Sequence, residues 1–145
     1  METKSGTAME IFASGFNCAQ AVLGSHSSDL GLDLALAKKI AGAFGGGMAY
    51  RGEVCGAVSG AIMLIGLKYG KHIEGDNEAK EKTYRIAGEY LAKFKKEYGS
   101  TKCSDLIKYD LSNDEELKKA REAGVFKTIC PLLVKRSVEL VEEYL

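Results

Sequence analysis

Along most of the chain apolar residues recur at alternating intervals of three and four, the spacing that lines one face of an α-helix. Residues 3–13 form the first such run, with Ala8, Ile11 and Phe12 on one side and Ser14-Gly15 as the stop. Asn17 followed by Gln20 has the form of a capping box, so a second helix starts there and buries Ala19, Val22 and Leu23, with residues 24–31 as its frayed end. Asp33 caps a third helix whose inward face carries Ala37, Ile40, Ala41 and Phe44, ending at Gly45-Gly46-Gly47. A fourth helix over residues 53–69 spaces Cys55, Val58, Ile62, Ile65 and Tyr69 correctly. Apolar on every side, it belongs at the centre of the fold.

The second half reads differently. Residues 77–98 predict a long helix with Tyr84, Ala87, Leu91, Phe94 and Tyr98 inward and Gly99 at its left-handed end. A short turn over residues 104–109 precedes a helix opened by Ser112 and Glu115 and stopped by Gly124. Pro131, the only proline, suits the first turn of a last helix that turns Val134, Val138, Val141 and Leu145 inward. No segment alternates as a strand. The expected fold is all-α, a compact bundle of six or seven helices with a glycine-rich central hairpin, and residues 1–145 form one four-cysteine helical domain.

Charge sharpens this layout. Residues 1–70 hold thirteen of the seventeen glycines and ten charges, while residues 71–145 hold thirty charges, so closely packed inner helices are wrapped by amphipathic ones. Twenty basic against twenty acidic residues leave no net charge, which argues against nucleic acid or a membrane surface as partner. The uncharged run 54–67 is fourteen residues long, short of the ~20 that span a bilayer. The N-terminal residues lack the pattern of a signal peptide, and a cytoplasmic location is expected.

Chemistry concentrates in Cys18, Cys55, Cys103 and Cys130. No Cys-x-x-Cys pair occurs, which removes the local zinc-finger and thioredoxin signatures. All four fall at predicted helix N-termini, where amide groups and the helix dipole favour a thiolate. Either Cys18 or Cys55 is the expected acidic thiol. Burial as small hydrophobes would explain any one cysteine; four in equivalent places point to redox pairs, or to one four-thiolate site for zinc or an iron–sulfur cluster. The segment 42–52 lacks the register of a nucleotide-binding loop, and its glycines are read as letting the backbone approach Cys55 closely. Gly52, Gly56 and Gly60 form a smooth stripe for another helix or another subunit. The two histidines, His26 and His72, read as surface residues, and Ser59 lacks the context of a nucleophile.

Phe16-Asn-Cys18-Ala-Gln-Ala-Val22, the Gly45-Gly-Gly run, Gly52-Glu-Val-Cys55-Gly-Ala-Val-Ser-Gly60, Cys103-Ser-Asp-Leu106 and Cys130-Pro131 together resemble the C_GCAxxG_C_C family of redox-active proteins. Gly56 stands between Cys55 and Ala57, a departure from the letter of that motif. The resemblance spans roughly residues 14–135 and implies a redox role for the cysteines, without a defined substrate. Three functions are therefore expected to compete. The first is thiol–disulfide exchange with a redox partner protein or small thiol, pairing Cys18 with Cys55 and Cys103 with Cys130 and needing no cofactor. The second is a non-enzymatic metal or cluster site with all four cysteines as ligands. The third is a structural module that self-associates. A homodimer is expected in each case.

Overall fold

The computed structural model describes residues 2–145, and among them the fold is helical, its only β-type pairing being one isolated bridge. The elements run α1 (Lys4–Ala13), α2 (Cys18–His26), a 3-10 turn (Ser28–Leu30), α3 (Leu34–Ile40), α4 (Gly45–Met48), α5 (Gly56–Tyr69), α6 (Asn77–Tyr98), α7 (Cys103–Ile107), α8 (Asp114–Glu122), α9 (Val125–Thr128) and α10 (Cys130–Glu142). Seven of these helices have seven residues or more; α4, α7 and α9 are single turns. No helix is long and apolar enough to cross a membrane among the described residues.

Helix α5 occupies the centre, with Ala57, Val58, Ala61, Leu64 and Ile65 inaccessible to solvent. It packs on α2 through its small residues. A Cβ on Gly60 would lie 2.9 Å from the Ala19 carbonyl oxygen and 2.9 Å from Val22 Cβ, and one on Gly56 would lie 3.0 Å from the Ala19 nitrogen. The two backbones thus meet at a separation that only glycine permits. This contact uses Gly56 and Gly60 of the stripe as a surface for another helix, the first of the two uses expected of it. Gly56 and Gly60 are buried inside the chain, and Gly52 lies before the helix beside Ser104.

The outer helices cover this pair. Helix α10 contributes Val134, Val138 and Val141, as its periodicity predicts, and α6 contributes Ile86, Tyr90 and Phe94. Of the stripe expected on α6, Phe94 is buried and Ala87, Leu91 and Tyr98 pack partly buried against the core, whereas Tyr84 is 66% exposed and Ile86 and Tyr90 take the inward positions. Ion pairs from Lys93 to Glu143 (2.6 Å) and from Arg136 to Glu97 (2.8 Å) tie the polar edges of α6 and α10.

Three boundaries differ from expectation. Helix α3 ends at Ile40, which is half exposed, because the Asn17 side chain takes up the Ala41 and Gly42 carbonyls that a longer helix would use. Helix α5 starts at Gly56 rather than at residue 53, because the backbone of residues 52–55 pairs instead with residues 101–104. Helix α8 is capped by Asn113, which accepts from the Glu115 and Glu116 amides, in place of the Ser112–Glu115 box.

Between α3 and α5 the chain makes a left-handed turn. Gly46, Gly47, Met48, Ala49 and Tyr50 have φ of 64°, 66°, 67°, 51° and 61° in succession. Each non-glycine residue in this region costs ~1–2 kcal/mol, so the surroundings must hold the turn in place. Hydrogen bonds from Ala49 N–H to the Ala43 carbonyl (2.9 Å) and from Glu53 N–H to the Gly47 carbonyl (2.9 Å) do so. The turn is also wedged tightly: a Cβ on Gly47 would lie 2.6 Å from Cys103 Cβ.

Candidate functional site

Each cysteine is placed by a local device that the sequence encodes. Asn17 Oδ1 accepts from the Gln20 amide and Gln20 Oε1 from the Asn17 amide, both at 2.8 Å, so Cys18 becomes the first residue of α2. The same two side chains reach across to α3: Asn17 Nδ2 donates to the carbonyls of Ala41 (3.3 Å) and Gly42 (3.2 Å), and Gln20 Nε2 to that of Lys38 (2.9 Å). The capping box therefore also fastens the end of α3, the approach to the left-handed turn, beside Cys18.

Cys55 and Cys103 are joined by an antiparallel clasp. The Cys55 amide donates to the Thr101 carbonyl (2.8 Å) and the Cys103 amide to the Glu53 carbonyl (2.6 Å), around the bridge between Val54 and Lys102. Alternation across such a pair sends the side chains of positions 55 and 103 to the same face, diagonally placed. Cys55 is then the N-cap of α5 and Cys103 the first residue of α7. Cys130 opens α10, one residue before Pro131. All four cysteines thus sit at helix N-termini, as the sequence predicts.

The fold brings the four together on one cavity of about 490 Å³. It lies at the seam between the main core, which includes Cys55, and a smaller cluster around Ile107, Leu111 and Val125, which includes Cys103 and Cys130. Cys18 packs partly buried against both. Phe12, Phe16, Tyr50, Phe126 and Leu133 supply apolar walls, and Gly45, Gly46 and Gly47 supply a backbone wall. No charged side chain lines it among the described residues.

The thiols differ from one another. Cys130 is held below the ordinary thiol value, chiefly by a hydrogen bond from the Cys18 thiol, with its own backbone amide assisting and burial opposing. Cys18 is pushed well above, because it keeps the proton it shares with Cys130 and is desolvated. Burial raises Cys55 to about 11, although the amides of Ala57 and Val58 face its sulfur without closing a full cap hydrogen bond. Burial and the neighbouring Cys55 and Cys130 raise Cys103 to about 12. The expectation that Cys18 or Cys55 is the acidic thiol is thereby corrected. Desolvation outweighs the helix terminus at Cys55, and at Cys18 the partner sulfur decides.

The clasp sets Cys103 beside Cys55, and the two thiols that shift each other most are Cys18 and Cys130; all four are free. As a metal site the arrangement does not fit: among the described residues no three cysteine, histidine or carboxylate side chains stand close enough to share an ion. The thiols surround a ligand-sized space instead.

Residues 16–144 match the family model described as "Putative redox-active protein (C_GCAxxG_C_C)". The chain belongs to this family. No curated protein and no solved structure gives a match. In this member of the C_GCAxxG_C_C family, the four cysteines line one cavity.

Periodicity could not reveal several residues around that cavity. Tyr90 and Ser137, both inaccessible, form a hydrogen-bonded pair that ends on the Ala57 carbonyl in the first turn of α5. Lys38 and Arg121 stand over the rings of Phe16 and Tyr50. These are contacts between elements distant in sequence, and only the helix-capping role of Asn17 and Gln20 left a local trace. The histidines take no part. His72 is exposed; His26, expected on the surface, is largely covered, 3.3 Å from Glu142, and burial lowers its pKa.

Proposed function

We propose that the protein is a thiol–disulfide redox protein whose reactive pair is Cys18 and Cys130. The observation that carries this reading is that both thiols line one cavity at the N-termini of α2 and α10, where their mutual influence holds the proton on Cys18 and leaves Cys130 the readier nucleophile. Because the pair titrates jointly, the acidic behaviour belongs to the two sulfurs together.

In this scheme the Cys130 thiolate attacks one sulfur of an incoming disulfide. A bond forms between the two sulfurs, the incoming S–S bond breaks, and its other half leaves as a thiolate. Cys18 then loses its proton to a departing thiolate and attacks the Cys130 sulfur, expelling the second half, which solvent protonates. The protein gives up two electrons and holds a Cys18–Cys130 disulfide; the incoming disulfide becomes two thiols. A reductant of the opposite kind, a dithiol protein or a small thiol, reverses the steps. The scheme suits the cytoplasm, where such reductants are supplied.

Hydroxyethyl disulfide tests it. The expected product is a Cys18–Cys130 bridge on peptide mapping, and the Cys18→Ser variant should retain a mixed disulfide on Cys130. Bridges between other cysteines, or two unreacted thiols at these positions, would overturn the scheme. Metal binding is the weaker reading, because the thiols are too dispersed for one ion.

A further inference from the structure

Building on the Cys18–Cys130 reading, we infer that the cavity selects a small anionic disulfide, with the cations of Lys38 and Arg121 at its aromatic walls as the recognition groups. Three features of different origin converge. The space of about 490 Å³ suits a molecule of oligopeptide size rather than the folded surface of another protein. Helices α2, α5 and α10, of nine, fourteen and thirteen residues, all point their N-termini at it, so their dipoles favour negative charge there. Lys38 Nζ lies 4.1 Å from the centre of the Phe16 ring and the Arg121 guanidinium carbon 5.6 Å from that of Tyr50, and both rings line the cavity.

Neither cation has a carboxylate partner among the described residues. A cation left over an aromatic face, with no acid to neutralise it, is available to a ligand carboxylate. The walls themselves carry no acidic side chain to repel one. The ligand class is therefore a disulfide whose sulfur end is uncharged enough to enter the apolar interior, and whose carboxylates remain outside beside Lys38 and Arg121. Cationic disulfides meet the wrong sign at both levels.

Three probe disulfides separate this from the thiol chemistry itself: glutathione disulfide, which is net negative, neutral hydroxyethyl disulfide and dicationic cystamine. Rates of Cys18–Cys130 bridge formation are measured at low salt, each divided by the rate of free cysteine with the same disulfide. Glutathione disulfide should lead the neutral probe by roughly tenfold, cystamine should trail it, and added salt should compress the order. In the double variant Lys38→Met, Arg121→Gln the ratio of anionic to neutral rates should fall toward one. Both side chains reach solvent, and thermal melts of the variant confirm that it folds. A bridge that forms with all three probes without charge preference, or a ratio unmoved by the double variant, overturns the selectivity and leaves the thiol chemistry standing. No bridge with any probe overturns both.

Discussion

Tyr90 and Ser137 meet in the core with their oxygens 2.6 Å apart, and the Ser137 hydroxyl donates a hydrogen bond to the Ala57 carbonyl at 2.7 Å. Because the serine proton is committed, Tyr90 must be the donor to Ser137. The chain of bonds links α6, α10 and α5, and its last acceptor lies two residues after Cys55. Burial pushes the Tyr90 hydroxyl above its ordinary value, which keeps it protonated and donating.

Removal of either hydroxyl should then have unequal effects. Ser137→Ala strands the buried Tyr90 donor and should cost about 1–3 kcal/mol. Tyr90→Phe leaves Ser137 bonded to Ala57, strands no donor, and should cost nearer ~1 kcal/mol. Urea denaturation of the two variants gives the order; a more damaging Tyr90→Phe would show that the proton runs the other way.

Glycine substitutions separate backbone strain from crowding. Gly47→Ala places a Cβ 2.6 Å from Cys103 Cβ and 2.7 Å from the Glu53 nitrogen, at φ 66°. Gly31→Ala, at φ 83°, meets nothing within 4 Å. The second should therefore cost only the conformational ~1–2 kcal/mol, and the first should add the ~1–3 kcal/mol of an overpacked site. Equal losses in thermal or urea melts would mean that Gly47 is not wedged against Cys103.

Helix existence was legible wherever a local signal stood at both ends of a periodic run. Asn17 with Gln20 located α2, and the periodic run over residues 77–98 with Gly99 at its end framed α6 closely. Failures came where a distant partner overrode the local pattern. The extended stretch before Gly56 is fixed by residues 101–104, fifty positions away, and the left-handed turn depends on a pocket made by Asn17 and Cys103. The cysteines were legible as a set, because each has a helix-start context. Their convergence on one cavity was not, since it depends on how distant helices approach, and the ranking of their acidities depends on desolvation, which no spacing encodes.

Alkylation of single-cysteine sites against pH should resolve the four thiols. Cys130 should react in a range below that of a free thiol, while Cys55 and Cys103 should become reactive only as pH nears about 11 and 12. Cys18→Ala removes the main group that holds Cys130 down, so the Cys130 profile should move to higher pH. An unshifted profile in that variant would mean that the helix terminus, and not the Cys18 thiol, sets its acidity.

Buried Cys55 should also make stability fall in alkali. Its thiol titrates near 9.0 when exposed and at about 11 in the fold, so the folded chain holds this proton more tightly than the unfolded chain. Below pH 9 both states are protonated and the stabilisation is complete. Between about 9 and 11 unfolding releases the proton, and each pH step then favours the unfolded state, a total loss of roughly 2–3 kcal/mol once pH passes the folded value. Tyrosines and lysines titrate in the same range, so the quantity to follow is the stability gap between wild type and Cys55→Ser, whose hydroxyl does not ionise there. That gap, taken from urea melts, should shrink by the same roughly 2–3 kcal/mol between pH 8 and pH 11. A constant gap would mean that Cys55 meets solvent or an anion-stabilising group in the fold, because only desolvation keeps its proton in place against the amides of Ala57 and Val58.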